Sequence, residues 1–187
     1  MGRVAERSHL SVDDYLAWER AQERKHEYFE GEVYAMAGGS PRHNRLCSSI
    51  NAALVIALGE TCHVLTSDQR VRAHQRRYVY PDASVVCGSP IVEHDDVIAN
   101  PMIVVEVLSS ATEQYDRGLK WDGYQLLPSL MNYLLVSQDR ARIELFARID
   151  DRWIYTAANS GEHVTLTNGI ALEVDKIFAA VFDLPGD

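Results

Sequence analysis

A lone carboxylate inside an apolar run is the most telling chemistry in this sequence. Met102-Ile103-Val104-Val105-Glu106-Val107-Leu108 is aliphatic throughout except for Glu106. Such a run marks a central strand buried on both faces, and a buried carboxylate is costly unless a cation or a hydrogen-bond network compensates it. A second acid, Asp82, follows Pro81 in a β-rich stretch. Two acids delivered from adjacent strands supply half the shell of a hard cation such as Mg²⁺, which takes a few carboxylate oxygens and keeps several waters. Asp116, Lys120 and Tyr124 recur at four-residue steps on a helix that starts soon after Glu106. They therefore share one stripe, and Lys120 can point back toward the acids. A lysine there would orient an attacking water or stabilise charge growing on a phosphate, beside a metal that polarises the phosphoryl oxygen. The plainer alternatives are a salt-bridged Glu106, an exposed Asp116–Lys120 pair and a Tyr124 at the core edge.

The elements that must position these residues follow from patterning. Ser11 as N-cap with Asp14 opens a first helix, with Val12, Tyr15, Leu16 and Trp18 as its apolar stripe, ending near Arg24. Residues 26–37 read as a hairpin about Glu30-Gly31, and Pro41 opens a second helix that stops at Gly59. Leu46, Ile50, Ala53, Leu54 and Ala57 form its core face. Three strands are expected over 63–67, 69–74 and 78–86, then a polar loop over 88–100 and the Glu106 strand over 102–108. Ser109 or Ser110 caps the third helix, Ser110 with Glu113 has capping-box spacing, and Pro128 closes the helix after about Leu127. Strands over 131–137, 143–148 and 153–157 and a short helix over 175–182 complete the chain. No internal repeat or Pro/Gly/Ser-rich linker divides it, so a single α+β domain over 1–187 is expected, with its ordered core over about 10–182.

Length and composition agree with one soluble core: 187 residues, 47% hydrophobic. The charged start offers no apolar leader and no run is long enough to span a bilayer, so a cytoplasmic protein without membrane contact is expected. Cys47, Cys62 and Cys87 are odd in number and widely spaced, which argues against a disulfide framework or structural zinc and for three small buried apolar residues. The net charge of −9 works against phosphate binding, but an acidic site reverses its local sign once it holds a cation.

Pro81-Asp82 with Glu106-Val107-Leu108 resembles the PD-(D/E)XK nuclease signature, with Leu108 where the lysine usually stands. The segments HEYFEGEVYAMAGGSPRHNRL, YVYPDASVV, PMIVVEVLSSATEQYDRGLKWDGY and MNYLLVS together resemble the Uma-two family of restriction-endonuclease-like proteins, from about Leu10 to Phe182. One departure is Tyr133-Leu134-Leu135-Val136-Ser137, which lacks the aromatic and the acid usual there. The resemblance implies a mixed central sheet flanked by helices and a lysine displaced onto the following helix, here Lys120. It also implies that Glu27 joins the acidic cluster and that His43 lies near it. Asp82, Glu106 and the Val107 carbonyl would ligate Mg²⁺, with Mn²⁺ as a substitute, and the substrate would be DNA, cut by a homodimer. Arg70, Arg72 and His74 alternate along one strand face ahead of Arg76, either as a phosphate-tracking ridge or as a solvated hairpin face. Two functions stay open: a metal-dependent endonuclease, and a catalytically weak or inactive nuclease-fold module that acts in nucleic-acid binding or homo-oligomeric assembly.

Overall fold

The computed structural model describes residues 5–187. Helix α1 (Val12–Glu19) starts where Ser11 accepts a hydrogen bond from the Asp14 N–H at 3.1 Å, and packs Tyr15 and Leu16 onto the hairpin of β1 (His26–Phe29) and β2 (Glu32–Ala35). The helix stops short of Arg24. The hairpin turn places Glu30 at φ 51° and Gly31 at φ 103°, and such positive values in both turn residues match the twist of the strands they join. Helix α2 (Pro41–Leu58) begins on a Ser40 cap with proline in its first turn and ends at Gly59. Its buried stripe is Leu46, Ile50, Leu54 and Leu58.

The expected third strand of the middle region is divided, and the division organises the molecule. After β3 (Cys62–Thr66) and β4 (Arg70–His74), the chain forms β5 (Arg77–Val79), breaks at Tyr80-Pro81-Asp82, and continues as β6 (Ala83–Cys87). Proline has no N–H for a ladder and a fixed φ, so the ladder is interrupted there. β5 and β6 belong to different sheets. The stretch read as a polar loop contains two short strands, β7 (Val92–Glu93) and β8 (Val97–Ile98), and β9 (Ile103–Val107) follows. β10 (Asn132–Val136), β11 (Arg142–Ile149) and β12 (Arg152–Asn159) are the three expected later strands. A small hairpin of β13 (His163–Thr165) and β14 (Ala171–Glu173) was not anticipated, and it leads into a helical turn over Val174–Ile177.

One sheet runs β2-β1-β5-β4-β8-β7 and the other β12-β11-β10-β9-β6-β3, with β9 parallel to β10 and antiparallel to β6. α2 and the C-terminal turn cover one face of the second sheet through Val105, Val107, Leu134 and Val136. The alternate residues Val104, Tyr133 and Leu135 face Val71, Ala73 and Val79 of the first sheet. Glu106, in phase with Val104, points into the space between the sheets. β9 is buried along its whole length, as its sequence requires. The architecture is mixed α+β, two mixed sheets flanked by helices.

Two expectations are corrected. Cys62 and Cys87 stand opposite one another in the β3–β6 register and form a disulfide, leaving Cys47 as the free cysteine. Of the two caps expected for the third helix the structure uses Ser109, and the helix is not one continuous α-helix to about Leu127. It runs as a short α turn (Glu113–Tyr115), a π-helical turn (Asp116–Lys120) and a second α turn (Trp121–Tyr124). Its start is held by Ser109, whose Oγ accepts from the Thr112 N–H at 3.2 Å, while Glu113 turns to Arg117 at 2.8 Å. The Ser110–Glu113 box does not form.

Candidate functional site

Tyr80-Pro81-Asp82 is where the chain passes from one sheet to the other, and two contacts fix that corner. The Tyr80 N–H donates to Glu27 Oε1 at 3.3 Å, and the Tyr80 hydroxyl donates to Glu19 at 3.0 Å. Arg70 closes on the same hydroxyl from Nη2 at 2.6 Å. In the β6–β9 ladder Ala83 pairs with Val105. Continuing that antiparallel register by one residue sets Asp82 opposite Glu106, which is how two acids far apart in sequence come to lie side by side. Asp82 Oδ2 then accepts the Val107 N–H at 2.7 Å.

Lys120 reaches the acids from the π-helical turn. Its Nζ lies 3.0 Å from Glu106 Oε1, 3.1 Å from Glu27 Oε1 and 3.1 Å from Asp116 Oδ1. The Tyr124 hydroxyl donates to the same Glu106 oxygen at 3.0 Å. π-Helical turns widen a helix at single sites that are frequently functional. Here the Tyr133 hydroxyl secures the turn, donating to the Asp116 carbonyl at 2.9 Å. Gly123 packs against β4 at Ala73.

The electrostatics follow from this burial. Desolvation lifts the Glu106 carboxyl well above the ordinary carboxylate range; Lys120 opposes this, while Asp116, Asp82 and Glu27 reinforce it. Burial disfavours the Lys120 ammonium, but the charges of Asp116, Glu106 and Glu27 outweigh that and hold its pKa well above the usual lysine value. The surrounding carboxylates therefore favour the charged form of Lys120. Burial also raises Tyr124, with Glu106 adding to it, so the phenol keeps the proton it donates. Asp82 is the exception: burial acts to raise it, yet the His43 hydrogen bond and charge, the Val107 N–H and Lys120 hold it below the ordinary value.

Glu27, Glu106, Asp116, Lys120 and Tyr124 thus meet in one buried cluster, with the part-buried Asp82 beside it. The Tyr124 hydrogen bond and the Lys120 ion pair to Glu106 fall on the same oxygen, Oε1. His43, from the first turn of α2, joins at the side with Nε2 3.2 Å from Asp82 Oδ1. Cys47, one turn further along α2, was read from sequence as a plain apolar residue. It also borders Asp82, and His43, Cys47 and Asp82 present ligating atoms all within 4.8 Å of one another. Its four-residue offset from His43 was the only available signal.

The arginine ridge is corrected. Arg70 is buried and bonded to Tyr80 and Asp96, so it braces the Tyr80 corner instead of facing solvent. Arg72 is held by both oxygens of Glu93 at 2.6 and 2.8 Å. Arg76 is half exposed on the turn, 3.7 Å from Glu30. Glu19 and Tyr80, which hold the corner, carried no pattern that sequence reasoning could single out.

A mixed sheet that delivers Asp82 and Glu106 side by side, with a helical lysine over them, is a restriction-endonuclease-like fold of the nuclease-like class. The chain belongs to the Uma2 family, whose model is described as "Putative restriction endonuclease" and matches residues 12–179. Two Synechocystis sp. proteins, both described as uncharacterized, are similar: slr1290 at 37% identity over 90% of this chain and 91% of that protein, and sll1609 at 32% over 82% and 89%. A crystal structure from Anabaena variabilis, described as a putative nuclease belonging to DUF820, superposes with a TM-score of 0.75 at 16% identity, covering 92% of this chain and 99% of that one. At that identity the likeness speaks for the fold. Among the described residues no helix is long and apolar enough to cross a membrane.

Proposed function

We propose that this protein is a Mg²⁺-dependent endonuclease that hydrolyses phosphodiester bonds in DNA. The observation that supports it is the convergence of Asp82, Glu106 and Lys120 in a nuclease-like fold, with two carboxylates brought together beside the buried Lys120 ammonium. The donor set fits a hard divalent ion, because Asp82 and Glu106 both offer carboxylate oxygens. Asp82 and Glu106 would hold it, with the Val107 carbonyl assisting, since that carbonyl points to the same side of β9 as the N–H bonded to Asp82. When bound, the cation supplies Lewis-acid polarisation of the phosphoryl oxygen and a more acidic water.

The chain's own residues do the rest. Lys120 donates to the attacking water or to a phosphate oxygen as negative charge builds there. Asp116 and Glu27 fix the direction of its ammonium, and Tyr124 holds Glu106 in one orientation. The water oxygen forms the new bond to phosphorus, the bond from phosphorus to the 3′-oxygen breaks, and the water's proton ends on the leaving oxygen. The products are a 5′-phosphate and a 3′-hydroxyl.

Asp82→Asn and Glu106→Gln keep the shape of the site and remove one ligand charge each. Each is expected to lower Mg²⁺-dependent plasmid nicking by at least about a hundredfold while circular dichroism stays that of the wild type. Wild-type nicking rates in both variants would refute the mechanism. A protein that binds Mg²⁺ in calorimetry yet nicks nothing would instead fit the reading as a nuclease-fold binding or assembly module.

A further inference from the structure

His43 and Cys47 are one turn apart on α2 and so project from the same face of the helix. Asp82 stands opposite them, and the three ligating atoms fall within 4.8 Å of one another. A tetrahedral zinc shell places its ligating atoms about 3.3–3.8 Å apart, given metal distances of about 2.0–2.3 Å, so small side-chain adjustments would close the set on an ion. The donors are an imidazole nitrogen, a sulfur and a carboxylate oxygen. That mixture suits a borderline-soft ion, whereas the neighbouring cluster of Glu27, Glu106 and Asp116 offers oxygen alone.

Two further observations bear on the same spot. Among the described residues His43 Nε2 is the ring nitrogen turned to Asp82, while Nδ1 is buried with no hydrogen-bond partner, so no second bond opposes the ring adjustment that metal binding needs. Gly39 is packed so closely on the imidazole that a Cβ there would lie 2.4 Å from His43 Cδ2. The bare glycine is therefore what lets the ring sit over Asp82, and any side chain at that position must displace it.

We infer that His43, Cys47 and Asp82 form a second cation site, selective for a borderline-soft divalent ion of the zinc class, which shares Asp82 with the Mg²⁺ centre and competes with it. Binding exchanges the Cys47 thiol proton, released to solvent, for a metal–sulfur bond. An ion held there takes up the Asp82 carboxylate that Mg²⁺ needs, so zinc-class ions switch the nuclease off. The binding stands on its own geometry, and only the switching rests on the nuclease reading.

Co²⁺ is the probe, because its thiolate complexes absorb where its oxygen complexes do not. Titration of the full chain, with the Cys62–Cys87 disulfide intact, is expected to give a sulfur-to-cobalt charge-transfer band that saturates at one ion per chain. Zn²⁺ should bleach the band. Cys47→Ala should abolish it, Gly39→Ala should weaken Co²⁺ affinity by about tenfold or more, and Glu106→Gln should leave it in place. Circular dichroism checks that each variant folds. No charge-transfer band in the wild type, or a band that survives Cys47→Ala, overturns the site. In a plasmid assay with Mg²⁺, the ratio of rates without and with Zn²⁺ should fall by about tenfold or more in Cys47→Ala relative to wild type; equal ratios overturn the competition. If no chain nicks plasmid at all, the nuclease reading fails while the cobalt band still decides the metal site.

Discussion

At the scale of single residues, the site turns on how the Lys120 ammonium meets the buried carboxylates around it. Lys120 is 6% exposed and contacts Glu27, Glu106 and Asp116 at 3.0–3.1 Å. Its removal leaves those carboxylates facing each other, and breaking a buried pair from one side costs about 3–5 kcal/mol. Lys120→Met is therefore expected to lower the urea midpoint strongly and to abolish nicking. Because a divalent cation would replace the missing charge, Mg²⁺ should raise the melting temperature of this variant more than that of the wild type. An equal Mg²⁺ shift in both would contradict the account. Glu106 was legible in the sequence because a charge in a continuous aliphatic strand has few explanations. Glu27 lies on a hairpin strand whose pattern does not separate it from a solvated residue, and only the family resemblance pointed to it. Cys47 was illegible because a lone thiol on an apolar helix face looks like any other small core side chain.

At the scale of elements, the helical segment over 113–124 carries Lys120, so whatever fastens that segment to the sheets sets the lysine's position. Arg117 fastens it to β11, with Nη1 and Nη2 each 2.8–2.9 Å from an oxygen of Glu144. The hydrogen bonds from Arg117 lead the causes that bring the Glu144 carboxyl from 4.5 down to about 2. A carboxyl depressed in the folded state adds stability that is full above its unfolded pKa and lost as pH falls through the folded one. Glu144→Gln should accordingly cost about 1–2 kcal/mol near neutrality after allowance for solvent screening, and the difference should shrink as pH falls from 4.5 toward 2. Urea midpoints across that range check it, and a constant difference at every pH would contradict it. Long periodic elements such as α2 and β9 could be placed from sequence almost to the residue. The break at Tyr80-Pro81-Asp82 could not, since apolar residues continue on both sides and only Pro81 hinted at it. β7 and β8 are too short to show a period and exist through pairing with β4 and with each other. The Cys62–Cys87 link depends on the β3–β6 register, which no spacing of cysteines encodes.

At the scale of the whole molecule, two sheets meet at one corner, and the acidic cluster lies where the chain crosses between them. The far edge of the second sheet leaves Ile149, Ile154 and Tyr155 exposed on β11 and β12. An apolar sheet edge invites a second copy, and two copies would suit cutting both strands of a duplex. Sedimentation equilibrium should give two chains per particle, with Ile154→Glu shifting the particle to one; a wild-type monomer at high concentration would contradict that pairing. With a net charge of −9, the proposed action on DNA would depend on a bound cation and on exposed arginines such as Arg76, so nicking is expected to weaken as salt rises. All of this depends on a divalent ion seated between Asp82 and Glu106 beside Lys120. The direct measurement is an anomalous-difference map from a crystal soaked in Mn²⁺. The account predicts a peak within about 2.0–2.3 Å of a carboxylate oxygen of Asp82 and of Glu106. A saturated soak with no peak between them, and Lys120 still bridging the same carboxylates, would contradict it.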